Sequence, residues 1–488
     1  MVDQSFFHGD TWGFPGSAVE HIETHAAHVF LCGDRAFKIK KNVKLPYLDF
    51  SSTEKRRSII ENELVVNLVF APDIYLNVTE KCGEPVLVMK RFPTESILSR
   101  MVTHGDIDDQ LSTVLAATIV DSHQKAVATN ISGAGVMIEL GKQLSDAFHN
   151  SPDIFSRPAG QEFDALYDDF VKRLTPLLDA RGVKGLVRRC HGDMHCGNIV
   201  VIDNKPVPFD AIEFSEKIAT IDVLYDLAFL LMDLLKFDQR RAANLVLNTY
   251  LNLRRAEEDL TGLAAFPLFL ATRAGVRALV TADLIHEAET AKVSEQLGNA
   301  QQYFRDCINF LKPKKPKIIC VGGLSGTGKT TLARSLCPII DPPPGAIHIR
   351  SDVERKVKAG VDETQRLSAE HYTQANSSKV YEAAFARARH VLSAGHSVVI
   401  DAVFGREIER LAAGALAKEL GLEFQGFWLE GTLDILKRRV GGRVNDASDA
   451  TSQVVEAQIK QHHGKISWTR INASGAPEQV EASAKKFI

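Results

Sequence analysis

Seven cysteines in 488 residues, at 32, 82, 190, 196, 307, 320 and 337 with no CxxC pair, are too few and too scattered for a disulfide framework or a zinc knuckle. Their odd number and spacing point to a reducing, cytoplasmic setting. Charge of one sign is also missing: the formal net charge is −3, which gives no global reason to expect nucleic acid or an anionic membrane, although a local basic groove is compatible with it. Long apolar runs are absent, the most apolar helix candidate, Ile221 to Leu235, being interrupted by Asp222, Asp226 and Asp233. The first residues, MVDQSFFHGDTWGF, lack the basic-then-apolar order of a leader, so no membrane segment is expected. Internal repeats and low-complexity stretches are absent too.

What is present is ordinary globular material, 45% apolar and 24% charged, in a chain longer than one hydrophobic core usually supports. Two or three domains are expected. From about residue 24 to 90 the reading is strand-rich: HVFLCG and RAFKIK alternate about a Gly33-Asp34 turn, PVLVMK follows the turn residues Cys82-Gly83-Glu84, and Ser52 to Asn67 reads as a helix. From 105 to 312 the pattern is helical around 107–128, 160–180, 221–252 and 266–312, broken by a strand-loop-strand island from Arg188 to Phe214. Pro313 to Lys317 is a stiff, charged linker. Beyond it, strands near 317–322, 346–350, 396–401 and 424–429 alternate with helices, which predicts a parallel sheet with helices on both faces.

GLSGTGKT, Gly323 to Thr330, follows an apolar strand and opens the helix TLARSL, the context a phosphate-binding P-loop requires. Gly323, Gly326 and Gly328 let the amides of Ser325, Thr327 and their neighbours turn inward around a phosphate of ATP, with Thr331 on the helix start that adds its dipole. Lys329 is expected on the β- and γ-phosphates and the Thr330 hydroxyl on Mg2+. Asp401, ending the apolar strand SVVID, stands where a carboxylate would hold that Mg2+ through water. Asp352 and Arg355, three apart after the strand ending in Arg350, share a helical face. They suit an acceptor site, Asp352 taking the proton of an acceptor hydroxyl and Arg355 gripping an anionic group. Arg438, Arg439 and Arg443 in LKRRVGGR read as a lid, with Arg439 and Arg443 reaching the phosphates. Together GLSGTGKTTLA, IRSDVERK, VVIDAVF and LKRRVGGR resemble the small P-loop kinases that include polynucleotide 5′-kinases, zeta-toxin-like kinases and gluconate-type sugar kinases. The likeness spans about residues 316–470.

A second constellation is HGDMHCGN, His191 to Asn198, followed by IVVI and by PFDAIEF with Asp210. Five fixed residue types in eight positions arise by chance about once in ten thousand, so the match is specific. It resembles the catalytic loop of the aminoglycoside and choline kinase group, distant relatives of protein kinases. The resemblance implies a bilobal kinase-like fold, with a small lobe to about residue 90 and a helical lobe over 91–312, ahead of a P-loop α/β domain at 318–488. It also implies roles: Asp193 on an acceptor hydroxyl, Asn198 and Asp210 on Mg2+, and Lys38 as the strand lysine, paired with Glu63, that contacts ATP. Lys40 projects from the same strand face as Lys38, so the residues themselves leave the assignment open between these two. His191 and His195 read as braces of the loop, and Cys190, His195 and Cys196 lack zinc spacing. One departure stands out. No G-x-G-x-x-G loop precedes Lys38; the corresponding stretch, IETHAAHVFL, is bulkier.

Over nearly its full length the chain is similar to bacterial proteins described as bifunctional aminoglycoside phosphotransferase and ATP-binding proteins. Three readings follow: two phosphotransferase sites, each using ATP and Mg2+ on a small-molecule or polynucleotide hydroxyl; a single P-loop kinase with an N-terminal binding or regulatory module; or a regulatory ATPase switch. Asp352 and Arg355 sit where transfer chemistry needs them and a switch does not. Aminoglycosides would call for carboxylates, and Asp222, Asp226, Asp233, Glu257, Glu258 and Asp259 are the candidates.

Overall fold

The computed structural model describes residues 3–24, 26–45, 48–105, 107–287, 290–442 and 447–488. The chain forms two compact units, Met1–Leu140 with Thr175–Gln239, and Gly141–Leu174 with Arg240–Ile488. It is mixed α/β throughout, with an antiparallel sheet in the N-terminal part and an all-parallel sheet at the C-terminal end.

In the first unit, β1 (Glu20–Glu23), β2 (Ala27–Cys32) and β3 (Arg35–Lys40) are followed by the small hairpin β4 (Lys44–Leu45) and β5 (Leu48–Asp49), then by α1 (Thr53–Leu68), β6 (Tyr75–Lys81) and β7 (Glu84–Lys90). The antiparallel sheet has the order β1-β2-β3-β7-β6. The predicted Gly33-Asp34 turn sets the register, Phe30 opposite Phe37 and Val29 opposite Lys38. Trp12, Phe30, Phe37, Ile39, Val86 and Val88 make the core on one face, each fully buried large side chain contributing about 2 kcal/mol. Helix α1 starts where Ser52 accepts the Lys55 N–H, and it is not amphipathic in the ordinary sense. Its inward stripe is Arg56, Ile60, Glu63 and Asn67, so three polar side chains are carried inside by helical spacing.

Next come α2 (Leu98–His104), α3 (Asp109–Lys125), and α4 (Gly133–Asn150) and α5 (Arg157–Val183), which each run from one unit into the other. The predicted strand-loop-strand island is the antiparallel pair β9 (Ile199–Ile202) and β10 (Lys205–Pro208), preceded by β8 (Val187–Arg189). After α6 (Glu216–Ala219), β11 (Thr220–Asp222) pairs with β8, and α7 (Val223–Lys236) follows, buried from Val223 to Leu234. The single helical stretch expected over 221–252 is two helices, because the chain turns at Phe237–Gln239 before α8 (Arg240–Arg254).

The second unit continues with α9 (Glu257–Gly262), α10 (Phe266–Asp283) and α11 (Thr290–Leu311). Among the described residues Glu257–Asp283, rather than the Ile221 to Leu235 stretch read as most apolar, is long and apolar enough by composition to cross a membrane. Its most apolar window has mean hydropathy 1.5 and is 67% buried within the protein, as a core helix would be. Beyond the linker, β12 (Lys317–Gly323), α12 (Lys329–Leu336), β13 (Ile347–Arg350), α13 (Ser351–Ala359), α14 (Gln374–Ser393), β14 (Val398–Asp401), α15 (Glu407–Leu420), β15 (Glu423–Glu430), α16 (Leu433–Gly441), α17 (Ser452–Lys460), β16 (Thr469–Asn472) and α18 (Pro477–Lys485) complete the chain. The sheet is all parallel in the order β13-β14-β12-β15-β16. Chain order reverses at β12, whose carboxyl end therefore opens a crevice suited to a ligand. Ile319, Val321, Val399, Phe427 and Leu429 pack with Leu332 and Leu336 of α12 and Val480 of α18. Edge strand β13 is covered from within the unit: Asn248 Oδ1 accepts the His348 N–H at 2.7 Å, and Asn244 and Asn248 donate to the Ala346 carbonyl at 3.0 and 3.2 Å.

Candidate functional site

In the first unit the sheet, α1 and the β9–β10 hairpin bring together residues far apart in sequence. Lys38 Nζ lies 2.6 Å from Glu63 Oε1 and 2.6 Å from Asp210 Oδ1. Lys40, from the same strand face, pairs instead with Glu63 Oε2 at 2.7 Å and Glu213 Oε1 at 2.6 Å. The two lysines thus divide: Lys38 alone bridges helix and Asp210. Burial would depress the Lys38 ammonium, but Asp210 and Glu63 reverse that and hold it well above the ordinary lysine range. Burial likewise pushes the Asp210 carboxyl up, and Lys38 outweighs it, leaving it below the usual value. Glu213 is raised by burial and by neighbouring Glu63. Glu213 had no place in the sequence-based site; its signal was its position three residues beyond Asp210 in PFDAIEF.

The His191 loop is braced from below by α7. Asp226 Oδ1 accepts the Gly192 N–H and Asp233 Oδ2 the Cys196 N–H, both at 2.9 Å, while His191 Nε2 contacts the Phe209 carbonyl oxygen at 3.0 Å. His191 is therefore a brace, as its residue type suggested, and burial lowers its pKa. Asn198 Nδ2 donates to Asp193 Oδ2 at 2.9 Å and to the Asp193 carbonyl at 3.0 Å, so the loop folds Asn198 onto Asp193. His195 Nε2 is 3.6 Å from Asp193 Oδ2. Asp210 sits at φ 60° with its amide held by the Tyr75 hydroxyl at 2.9 Å. A left-handed non-glycine residue is strain that the surroundings must impose.

Of the carboxylates considered for a cationic acceptor, Glu257 lies 3.5 Å from His390 Nδ1 and four more are committed internally. Asp222 pairs with the buried Arg181, Asp226 and Asp233 hold the loop, and Asp259 pairs with Arg254 at 2.5 Å. His123, Cys190 and Asp226 place ligand atoms within 4.8 Å of one another. Since Asp226 already serves Gly192 N–H and contacts His123 Nε2 at 3.2 Å, these three read as part of the brace.

In the second unit the P-loop glycines take the expected positive φ, whereas the Ser325 amide, expected to face a phosphate, donates to Gln458 Oε1 at 2.9 Å. Gly323, Gly326 and Gly328 have φ of 140°, 86° and 87°, a region closed to most side chains. A Cβ at Gly326 would also lie 2.6 Å from the Leu436 carbonyl oxygen. The Thr327 hydroxyl donates to the Leu324 carbonyl at 2.8 Å and Lys329 Nζ donates to it at 3.1 Å. Thr330 Oγ1 donates to Asp401 Oδ2 at 2.5 Å, joining the two residues assigned to one cation. Burial would raise Asp401, but His348, whose Nε2 is 3.6 Å away, and Lys329 bring it down to about 2. Asp352 is raised, by burial and then by the Asp401 charge, which suits a proton acceptor. Thr331 is exposed on the first turn of α12. Arg355 donates to the His371 carbonyl at 2.6 Å and lies 4.7 Å over the Tyr372 ring. Arg439 donates to the carbonyls of Ala473 and Gly475 at 2.7 and 3.0 Å. Arg443 lies outside the described residues.

Both sites fit a hard cation by their donor sets. Asp193, Asn198 and Asp210 supply oxygens in the first, Thr330 and Asp401 in the second, which matches oxygen-only Mg2+ ligation.

Residues 318–465 match the family model described as AAA domain. Over its whole length the chain is similar to uncharacterized proteins of Mycobacterium tuberculosis strain H37Rv and of Mycobacterium bovis, 29% identical over 477 residues that cover 95% of this chain and 94% of theirs. Among solved structures, a choline/ethanolamine kinase family protein from Mesorhizobium loti shares 14% identity over 61% of this chain and 92% of that one, with a TM-score of 0.38. A gluconokinase from Sinorhizobium meliloti shares 18% identity over 35% of this chain and 91% of that one, with a TM-score of 0.26.

Proposed function

We propose that this chain is an ATP-dependent phosphotransferase with two kinase-type sites, each using Mg2+ to pass the γ-phosphate of ATP to a hydroxyl. The observation that carries the reading is the Lys38 ammonium, 2.6 Å from both Glu63 and Asp210, in the same unit as a loop that holds Asn198 on Asp193. Five residues spread from 38 to 210 form an arrangement that phosphoryl transfer needs.

Asp193 accepts the proton of an acceptor hydroxyl as its oxygen bonds to phosphorus. The bond from phosphorus to the ADP oxygen breaks in the same step, and Lys38 offsets charge on the phosphates. A bound Mg2+ would neutralise phosphate charge between Asn198 and Asp210. In the second unit Asp352 is the proton acceptor, Lys329 the phosphate contact, and Thr330 with Asp401 the cation site. The acceptor there is a polynucleotide 5′-hydroxyl or a small sugar, with Arg355, Arg439 and Arg443 as further anion contacts once nucleotide is present. Free thiols at all seven cysteines support a cytoplasmic setting.

A second reading keeps only the P-loop site active. In its favour, the β1–β2 hairpin ahead of Lys38 carries side chains rather than glycines: His21 stacks on Phe30 at 4.8 Å and contacts His28 at 3.1 Å. The test is ADP release from the full chain with Mg2+ and ATP, challenged with a 5′-hydroxyl oligonucleotide, a sugar panel including gluconate, and an aminoglycoside panel. Stimulation by two acceptor classes, one lost in Asp193→Ala and the other in Lys329→Ala, supports two sites. Stimulation indifferent to Asp193→Ala leaves the P-loop site alone, and slow, acceptor-independent release leaves a regulatory ATPase.

A further inference from the structure

One short stretch of the second unit, residues 447–460, grips both the P-loop and the acceptor helix α13. At its far end Val455 packs with Leu436 and Val440 of α16 against Leu324. There Gln458 Oε1 accepts the Ser325 N–H at 2.9 Å. Ser325 is 6% exposed, so without Gln458 a buried amide in the phosphate loop would lose this acceptor.

At the near end Asp449 Oδ2 accepts from three donors that belong to different segments: Lys356 Nζ at 2.7 Å, the Leu367 N–H at 3.0 Å and the Tyr372 hydroxyl. Lys356 is on α13, one turn beyond Asp352, and its side chain is 1% exposed. The adjacent Ser448 hydrogen-bonds Asp352 itself, and the Tyr372 ring lies under Arg355. Asp449 therefore ties together the helix that carries the proton acceptor, the 361–373 segment and the strap, while Gln458 ties the strap to the phosphate loop.

We infer that residues 447–460 form a coupling strap, with Gln458 and Asp449 as positioning residues that set Asp352 against the phosphate loop when nucleotide is bound. The inference rests on the reading that this loop takes ATP. Transfer needs the attacking oxygen about 3–3.5 Å from phosphorus, and Asp352 must reach that oxygen. A phosphate filling the nest orders the backbone amides of 323–330. The bond from Ser325 to Gln458 passes that ordering along α17 to Asp449 and so to the 361–373 segment.

Hydrogen exchange on the full chain, with and without MgAMP-PNP, reads this directly. In the wild type, nucleotide is expected to slow exchange in the P-loop and in peptides covering 361–373. At saturating AMP-PNP, Gln458→Leu should keep the P-loop protection while losing that at 361–373, since it removes the side-chain acceptor of the Ser325 amide and none of the loop's own residues. The near-isosteric Asp449→Asn gives a second arm. With an acceptor that stimulates ADP release, it should raise the acceptor KM about fivefold or more and leave the ATP KM within about twofold. Protection confined to the P-loop in the wild type, protection at 361–373 that survives Gln458→Leu, or equal changes in both KM values would overturn the strap while leaving the kinase reading intact. No protection even at the P-loop overturns both.

Discussion

On the proposed reading, the two sites solve the same electrostatic problem with different parts of the polypeptide. In the first unit, positive charge for phosphate is a side chain, Lys38, held by two carboxylates contributed by α1 and by the segment after β10. In the second unit it would come largely from the backbone, where three positive-φ glycines shape the loop ahead of α12 and Lys329 adds its charge from the first turn. A side-chain site is pre-paid in buried ion pairs, and breaking one leaves uncompensated charge. A backbone site is contiguous in sequence and stands even when one side chain is lost. The difference predicts that equivalent substitutions will hurt catalysis in both units but stability in only one.

The largest effects should be catalytic. Asp193→Ala should cut the first site's acceptor-dependent ADP release about 10²- to 10⁴-fold, the range for losing a positioned general base. Lys329→Ala should cut the second site's about 10²- to 10³-fold, as for removal of one preorganised charge-stabilising donor. Each should leave the other activity within about twofold; a shared loss would merge the two sites into one.

Stability then separates them. Lys38→Ala removes one of the two lysines on the buried Glu63, Lys40 remaining at 2.7 Å, together with the partner of the half-exposed Asp210, and should cost about 1–3 kcal/mol in urea unfolding. Lys329→Ala removes a contact to one carbonyl and should cost about 1 kcal/mol. Equal losses would erase the distinction between side-chain and backbone construction.

The same contrast governs what could be read in advance. GLSGTGKT was legible because everything it does is local: glycine conformations, a helix start, one lysine. HGDMHCGN was legible as a motif, and its aspartate and asparagine do meet. The choice between Lys38 and Lys40 was not legible, since it depends on how α1 and the segment after β10 come to the sheet, and Glu213 was missed for the same reason. The helix α4 was hidden by Gly133, Gly135 and Gly141, and Gly141 is there because a Cβ would lie 2.2 Å from the Tyr167 ring. Strand β16, four residues at a sheet edge, is too short to show a period. Asp222, Asp226 and Asp233 stood open between acceptor ligands, solvated faces and buried caps, because spacing cannot distinguish a carboxylate facing a cleft from one bracing a loop.

Acid should expose a weakness of the second unit. His396 is fully buried, neither ring nitrogen has a hydrogen-bond partner, and burial lowers its pKa from 6.5 to about 4. The unfolded chain therefore takes up the proton first as pH falls, so stability present above about pH 6.5 is lost progressively down to pH 4, by about 3 kcal/mol in total. Asp401, held at about 2 against 3.8, adds a loss only below about pH 4. Thermal midpoints measured from pH 7.5 to 4.5 should fall, and His396→Leu should flatten the upper part of that fall; an unchanged slope would assign the acid sensitivity to other groups.

The smallest effect concerns the covered edge of the parallel sheet. Asn248 both accepts from the His348 amide and donates to the Ala346 carbonyl, so it imitates a neighbouring strand's pattern at β13 and blocks pairing there with another chain. Asn248→Ala leaves the His348 amide without that acceptor and should cost about 1–3 kcal/mol. Asn244 still serves the Ala346 carbonyl at 3.0 Å, which keeps the loss toward the lower end. Because β13 leads straight into Asp352 and α13, the variant should also raise the KM of the second site's acceptor before it alters anything at Asp193. A destabilisation that instead appeared equally in both activities would mean that β13 positions nothing specific to the P-loop site.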